Sequence, residues 1–277
     1  MNICLFYLNS CFILPNFMKS ERFVLILNNT DMYIRIVLFF VFIGHGLVSL
    51  GFSPSQALHL KLVENFNWGM FSSNKILQIA GVFDIIIGFS FLFNLCYKIA
   101  YRFAFIYLLL VIVAVLNLYQ LKTGSYLAIA EILRRISWIL LLLFLHFKDK
   151  KDFRYNFIRF SSSSAFIAHG LASLGFFGFN QAHIEIASQI IPDNYVNDFI
   201  FYSGTSDLII GILLLLGIYT RTVAAIGSLW IFFIVILSSI IALPDGIFRL
   251  GFLMVAFYNV IDDRTSRLNL YNFIKSK

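Results

Sequence analysis

Residues 42–52 read FIGHGLVSLGF and residues 166–176 read FIAHGLASLGF, identical at nine of eleven positions. Apolar helices match one another by chance in Leu, Ile and Phe, but rarely in a His, two Gly and a Ser at once. A second match follows at almost the same offset: GVFDIIIG at 81–88 and GTSDLIIG at 204–211, displaced by 123 where the first pair is displaced by 124. Two colinear matches make the chain an internal duplication.

Around these matches lie eight apolar runs, at 33–52, 76–97, 99–120, 126–147, 157–178, 199–218, 220–242 and 245–262. Each is near the length of about 20 residues that crosses a hydrocarbon layer of about 30 Å. Ser161 to Ser164 make the fifth run the least apolar. Composition agrees: 60% of residues are hydrophobic and 13% charged, and mean hydropathy is +0.86. An ordinary soluble domain is about 45–50% apolar and about 25% charged.

The expected fold is therefore an all-α polytopic membrane protein of about eight transmembrane helices, arranged as two four-helix repeats. Four spans are an even number, so both copies enter the membrane the same way round and are parallel repeats. The expected organisation is a segment outside the fold at 1–31, with Met18 and Met32 as alternative starts, then a first repeat at 32–147. A basic linker at 148–156, a second repeat at 157–262 and a basic tail at 263–277 follow.

Basic residues set the expected orientation. Fifteen of the 21 Lys and Arg fall on the side holding both termini and the linker FKDKKDFRYNFIR (147–159), and six on the other. The positive-inside bias then puts both termini in the cytoplasm, the membrane being a bacterial inner membrane. The net charge of +7 reads as this topology signal and excludes nucleic acid as the expected partner. The lipid bilayer is the expected one, and the linker's bases meet its anionic headgroups.

The chemistry-bearing residues sit inside the matched segments. His45 lies ten residues beyond Arg35, about 15 Å along a helix, with Ser49 one turn on. His169 and Ser173 repeat the pair. Asp84 lies at comparable depth in the second span between Gly81 and Gly88 on its own face, and Asp207 repeats it between Gly204 and Gly211. Small residues let a neighbouring helix approach, so these acids are expected to face the bundle interior. A lone carboxylate at that depth would cost several kcal/mol or take up a proton. The nearest partners expected are His45 for Asp84 and His169 for Asp207, with Arg135 as the alternative for Asp84.

Glu131 and Arg135 open the fourth span at i, i+4, and Asp245 and Arg249 open the eighth in the same order, acid before base. Both pairs are expected near the outer surface. His59 and His183, again 124 apart, are read first as caps of short outer helices, with an outer vestibule as the alternative. His146 is read as interfacial.

Other chemistry is excluded by what the sequence lacks. GxxxxGK[ST], GxSxG, HExxH and a GxGxxG following a strand are all absent. Cys4, Cys11 and Cys96 have neither CxxC nor metal-ligand spacing, so no metal site is expected. No catalytic residue is identified, and the chain is expected not to be a catalyst on its own.

The two HGL(V/A)SLGF helices resemble the DoxX-like membrane proteins, relatives of the small subunit of thiosulfate:quinone oxidoreductase. So does the run GTSDLIIGILLLLGIYTRTVAAIG at 204–227, with Arg221 and Ala224 as its best-matching tail. GVFDIIIGFSFLFNLCYKIAYRFA, from residue 81, is a looser version. The family's usual form is one four-helix unit, and its acid is more often Glu than the Asp found here. The resemblance implies membrane redox or quinone chemistry. It admits a quinone as cofactor, and a membrane redox partner or a second copy of the chain as partner. Three functions remain open: a membrane subunit binding a quinone or lipid headgroup at the His/Asp clusters, a small-solute or proton-coupled transporter, and a structural or assembly partner.

Overall fold

The computed structural model describes residues 29–64, 72–120, 125–147, 153–174, 183–184 and 187–266. The expected segment through residue 28 with Cys4 and Cys11, the linker at 148–152 and the tail from 267 lie outside the described residues. These comprise eight long helices and one short one: α1 (Thr30–Ser49), the short α2 (Gln56–Glu64), α3 (Ser73–Leu92), α4 (Tyr97–Gln120), α5 (Ser125–His146), α6 (Tyr155–Leu174), α7 (Asp193–Leu216), α8 (Thr220–Ile241) and α9 (Leu243–Ile261). A 3-10 turn at Asp263–Ser266 follows, and no strand occurs among the described residues.

Local chemistry sets the helix ends. Asn29 caps α1, its side chain accepting from Met32 N, and Ser72 caps α3 by accepting from Lys75 N. These polar side chains satisfy backbone donors that have no partner within the helix. The second span stops at Leu92, short of the expected 97, because the chain turns at Asn94 and Cys96, both at positive φ. The second repeat turns at the same places. Gly217 and Tyr219, each 123 residues on, adopt the same left-handed conformation, which Gly and Asn tolerate best.

The eight long helices form a ring in chain order, α1–α3–α4–α5–α6–α7–α8–α9, closed by α9 on α1. The most extensive contacts between repeats pair first helices with fourth: α5 against α6, and α9 against α1. Contacts of α1 with α5 and of α6 with α9 pinch the ring across its middle. Glycines make these approaches close. A Cβ on Gly44 of α1 would come within 2.4 Å of Phe248 N on α9, and one on Gly46 within 2.7 Å of the Gly81 carbonyl on α3.

Peripheral and central helices differ as a membrane solvent requires. α3, α4, α7 and α8 present exposed Phe83, Ile86, Leu110, Ile209, Phe232 and Ile236 to the surroundings. Six helices (α1, α3, α4, α7, α8 and α9) are long and apolar enough to cross a membrane on their own. The remaining two, α5 and α6, carry Glu131, Arg134, Arg135, Arg159 and the four serines, and they pack on one another. The serines are buried and bonded: Ser161 to Ser137, Ser162 to Asn259, Ser163 to the Gly211 carbonyl and Ser164 to the Leu133 carbonyl. That run therefore joins α6 to α5, α7 and α9, and its polarity is an interior property.

Candidate functional site

Each repeat builds the same unit at the end of the bundle that carries the α1–α3 and α6–α7 connections. His45 of α1 holds Asp84 of α3 through Nδ1 and Oδ2 at 2.7 Å, and His169 of α6 holds Asp207 of α7 at 2.6 Å. Asp84 is 0% exposed and Asp207 2%. The register comes from the small residues: Gly46 and Gly170, each following its His, lie against the carbonyls of Gly81 and Gly204, three residues before the acids. At that separation an imidazole reaches the neighbouring carboxylate directly.

A second histidine joins each pair. His59 of α2 lies over His45 with ring centroids 4.7 Å apart, and its Nδ1 is 3.4 Å from Ser49 Oγ. In the second repeat His183 stacks on His169 at 5.1 Å, with Nδ1 3.0 Å from Ser173 Oγ. The reading of His59 and His183 as caps is thus corrected. They are inward-facing members of the cluster, drawn in by Ser49 and Ser173, and their shared offset of 124 was the available signal. Burial pushes both imidazoles well below the ordinary histidine range; His45 with Arg135, and His169 with Arg134, add to the shift.

The units meet at one cavity of about 150 Å³ between the repeats, lined by His45, His59, His169 and His183, by Asp207, and by Glu131, Arg134, Arg135, Asp245 and Arg249. Asp84 and Ser49 do not line it and are held by the histidines, Asp84 by His45 and Ser49 by His59. Trp138, Phe166, Trp230, Phe248 and Phe252 supply apolar wall. The Glu131–Arg135 and Asp245–Arg249 pairs, near the first turns of α5 and α9, face this cavity, with Arg135 only 5% exposed. α5 and α9 cross at the centre, so their first turns open inward.

Their partners differ between repeats. Glu131 binds both Arg134, at 2.5 Å, and Arg135. Asp245 accepts from Arg249 at 3.5 Å and reaches into the other repeat, where Ser53 and Ser55 donate to it, Ser55 at 2.9 Å. Sequence reasoning passed over Trp138 and Trp230 because aromatic residues are common in apolar helices, and Arg134 because the i, i+4 spacing pairs Glu131 with Arg135; tertiary contact singles these out.

A carboxylate on Nδ1 fixes a proton there, so Nε2 of each ring accepts when the imidazole is neutral and donates when it is charged. His45 Nε2 is buried without a hydrogen-bond partner among the described residues, as are Asp84 Oδ1 and Trp138 Nε1. No group of three or more His, Cys, Asp or Glu that could hold a metal ion occurs among the described residues.

A duplicated helical membrane protein, with a carboxylate–imidazole pair from each repeat beside a shared aromatic cavity, is the class that this geometry defines. Two family models match in tandem, the DoxX-like family at residues 39–123 and DoxX at residues 156–240. The chain belongs to the DoxX-like family of integral membrane proteins, as a tandem duplication. No curated protein and no solved structure matches it.

Proposed function

We propose that the protein is a membrane subunit that binds one apolar molecule with a polar head, a quinone or a lipid, in the cavity between its repeats. The observation that carries this reading is that His45 and Trp138 line the cavity amid aromatic side chains while His45 Nε2 and Trp138 Nε1 are buried without a hydrogen-bond partner among the described residues. Upwards of about 90% of buried polar groups are hydrogen-bonded, so two such atoms on residues lining one cavity favour a polar occupant. The aromatic faces suit an apolar body beside it. In this reading the chain supplies a binding site to a membrane redox partner or to a second copy of itself. It lies in a bacterial inner membrane with both termini cytoplasmic, as its basic residues favour.

Water accessibility tests the reading against transport. With the native cysteines replaced, cysteines introduced at Ile85 and Leu208, beside the two acids, are treated with an aqueous thiol reagent in sealed vesicles. Protection at both is expected of a headgroup site. Rapid labelling from both faces of the membrane would mark a solute path and sink the proposal.

A further inference from the structure

The cavity does not end at the aromatic wall. A second space, of about 70 Å³, continues from it past His169, His183, Ile234 and Arg249, which line both. Beyond them its walls are almost wholly apolar: Phe199 and Ile200 of α7, Leu237 and Ile241 of α8, and Ile190 and Ile191 of the connection before α7. Ser173, Ser203 and Ser238 interrupt these walls; Ser173 is held by His183 and Ser238 by the Ile234 carbonyl. On the same helices Phe201, Tyr202, Phe233, Ile236 and Ile240 are exposed on the outside of the bundle. The groove thus leads away from the polar centre along α7 and α8, helices whose other faces are exposed.

Size limits what the two spaces hold. A cavity of about 150 Å³ takes one benzene-sized group, and the groove is about half as large. The groups offered to a head are donors backed by aromatic faces: the Trp138 indole N–H and the Arg249 guanidinium, beside Trp230 and Phe252. These suit a planar ring bearing oxygen acceptors.

Resting on the ligand reading above, we infer that the occupant is a single-chain amphiphile with an oxygen-bearing ring as its head. It binds once per chain, ring in the shared cavity and chain leaving sideways between α7 and α8. The duplication then yields one composite site rather than two, with the second repeat serving as its door to the lipid.

The test uses the full chain in lipid nanodiscs and two probe pairs: decyl-benzoquinone with benzoquinone, and decyl-benzoate with benzoate. Dissociation constants are compared for the unaltered protein and for Leu237→Trp and Ile241→Trp, which fill the groove at two depths. At least one decyl probe is expected to bind at one per chain. Its dissociation constant is expected to rise tenfold or more in either variant, while that of its ring-only partner stays within twofold. Carbonyl and carboxylate heads are told apart by which pair binds. Binding of a decyl probe unaffected by both variants, or weakened only in step with its ring-only partner, overturns the lateral route and leaves the ligand reading standing. Failure of both decyl probes to bind the unaltered protein overturns both.

Discussion

Tyr107 and Trp230 occupy corresponding positions, 123 residues apart like the acids they face, yet they treat those acids differently. Trp230 Nε1 donates to Asp207 Oδ1 at 3.0 Å, completing a carboxylate whose other oxygen His169 holds. Tyr107 reaches Asp84 only at 3.5 Å, on the oxygen already taken by His45, and Asp84 Oδ1 has no donor among the described residues. Leaving a buried acceptor unsatisfied costs about 1–3 kcal/mol. Trp230→Phe should therefore lower thermal stability clearly, and Tyr107→Phe much less. Equal losses in thermal unfolding would show that the two carboxylates are held alike.

The His45–Asp84 and His169–Asp207 contacts should each behave as one unit. Removing one partner of a buried pair costs about 3–5 kcal/mol because the other is stranded, while removing both costs much less. Asp84→Asn and His45→Gln should each destabilise more than the double variant does, with the same pattern at Asp207 and His169. Simple addition of the single effects in a double-mutant cycle would mean that the residues do not interact.

Helix approach is the condition for those contacts. A Cβ at Gly46 would lie 2.7 Å from the Gly81 carbonyl, and one at Gly170 2.7 Å from the Gly204 carbonyl. Gly46→Ala and Gly170→Ala must push the helices apart, a kind of overpacking that costs about 1–3 kcal/mol. Unfolding midpoints unchanged in both variants would contradict the close crossing.

The fold was legible because the duplication writes itself twice. His45, Asp84 and their glycines recur at one offset, and depth along a helix follows directly from residue count. The crossing of the repeats was not legible. That α1 lies on α9 and α5 on α6 depends on shape, as where Gly44 meets Phe248, and apolar faces in lipid do not name their neighbours. For the same reason Glu131 and Arg249 could be set on their helices but not in the cavity. His59 and His183 were hidden by lying in connections, where no helical period links them to Ser49 and Ser173.

Those two histidines, outside the spans, should give the protein an acid sensitivity. Burial lowers their pKa in the folded state, while the unfolded chain takes up protons near pH 6.5. Around His59 stand His45 of α1 and Glu131, Arg134 and Arg135 of α5; around His183 stand His169 of α6, Arg134 and Glu131 of α5, and Arg249 of α9. The unfolded state then binds more protons below about pH 6.5, so stability is full above that pH and falls as pH drops towards the lowered folded values. His59→Gln and His183→Gln should each flatten this acid limb in pH-resolved thermal unfolding. A limb as steep in the double variant as in the parent would place the sensitivity elsewhere.

Two repeats that share one cavity should make one occupied site. Native mass spectrometry of the protein released from the membrane in which it is expressed tests it most directly. One small apolar molecule should be retained per chain, and lost in His169→Gln while that variant keeps its folded charge-state distribution. The bare chain mass, or two equivalent molecules per chain unaffected by His169→Gln, would contradict it.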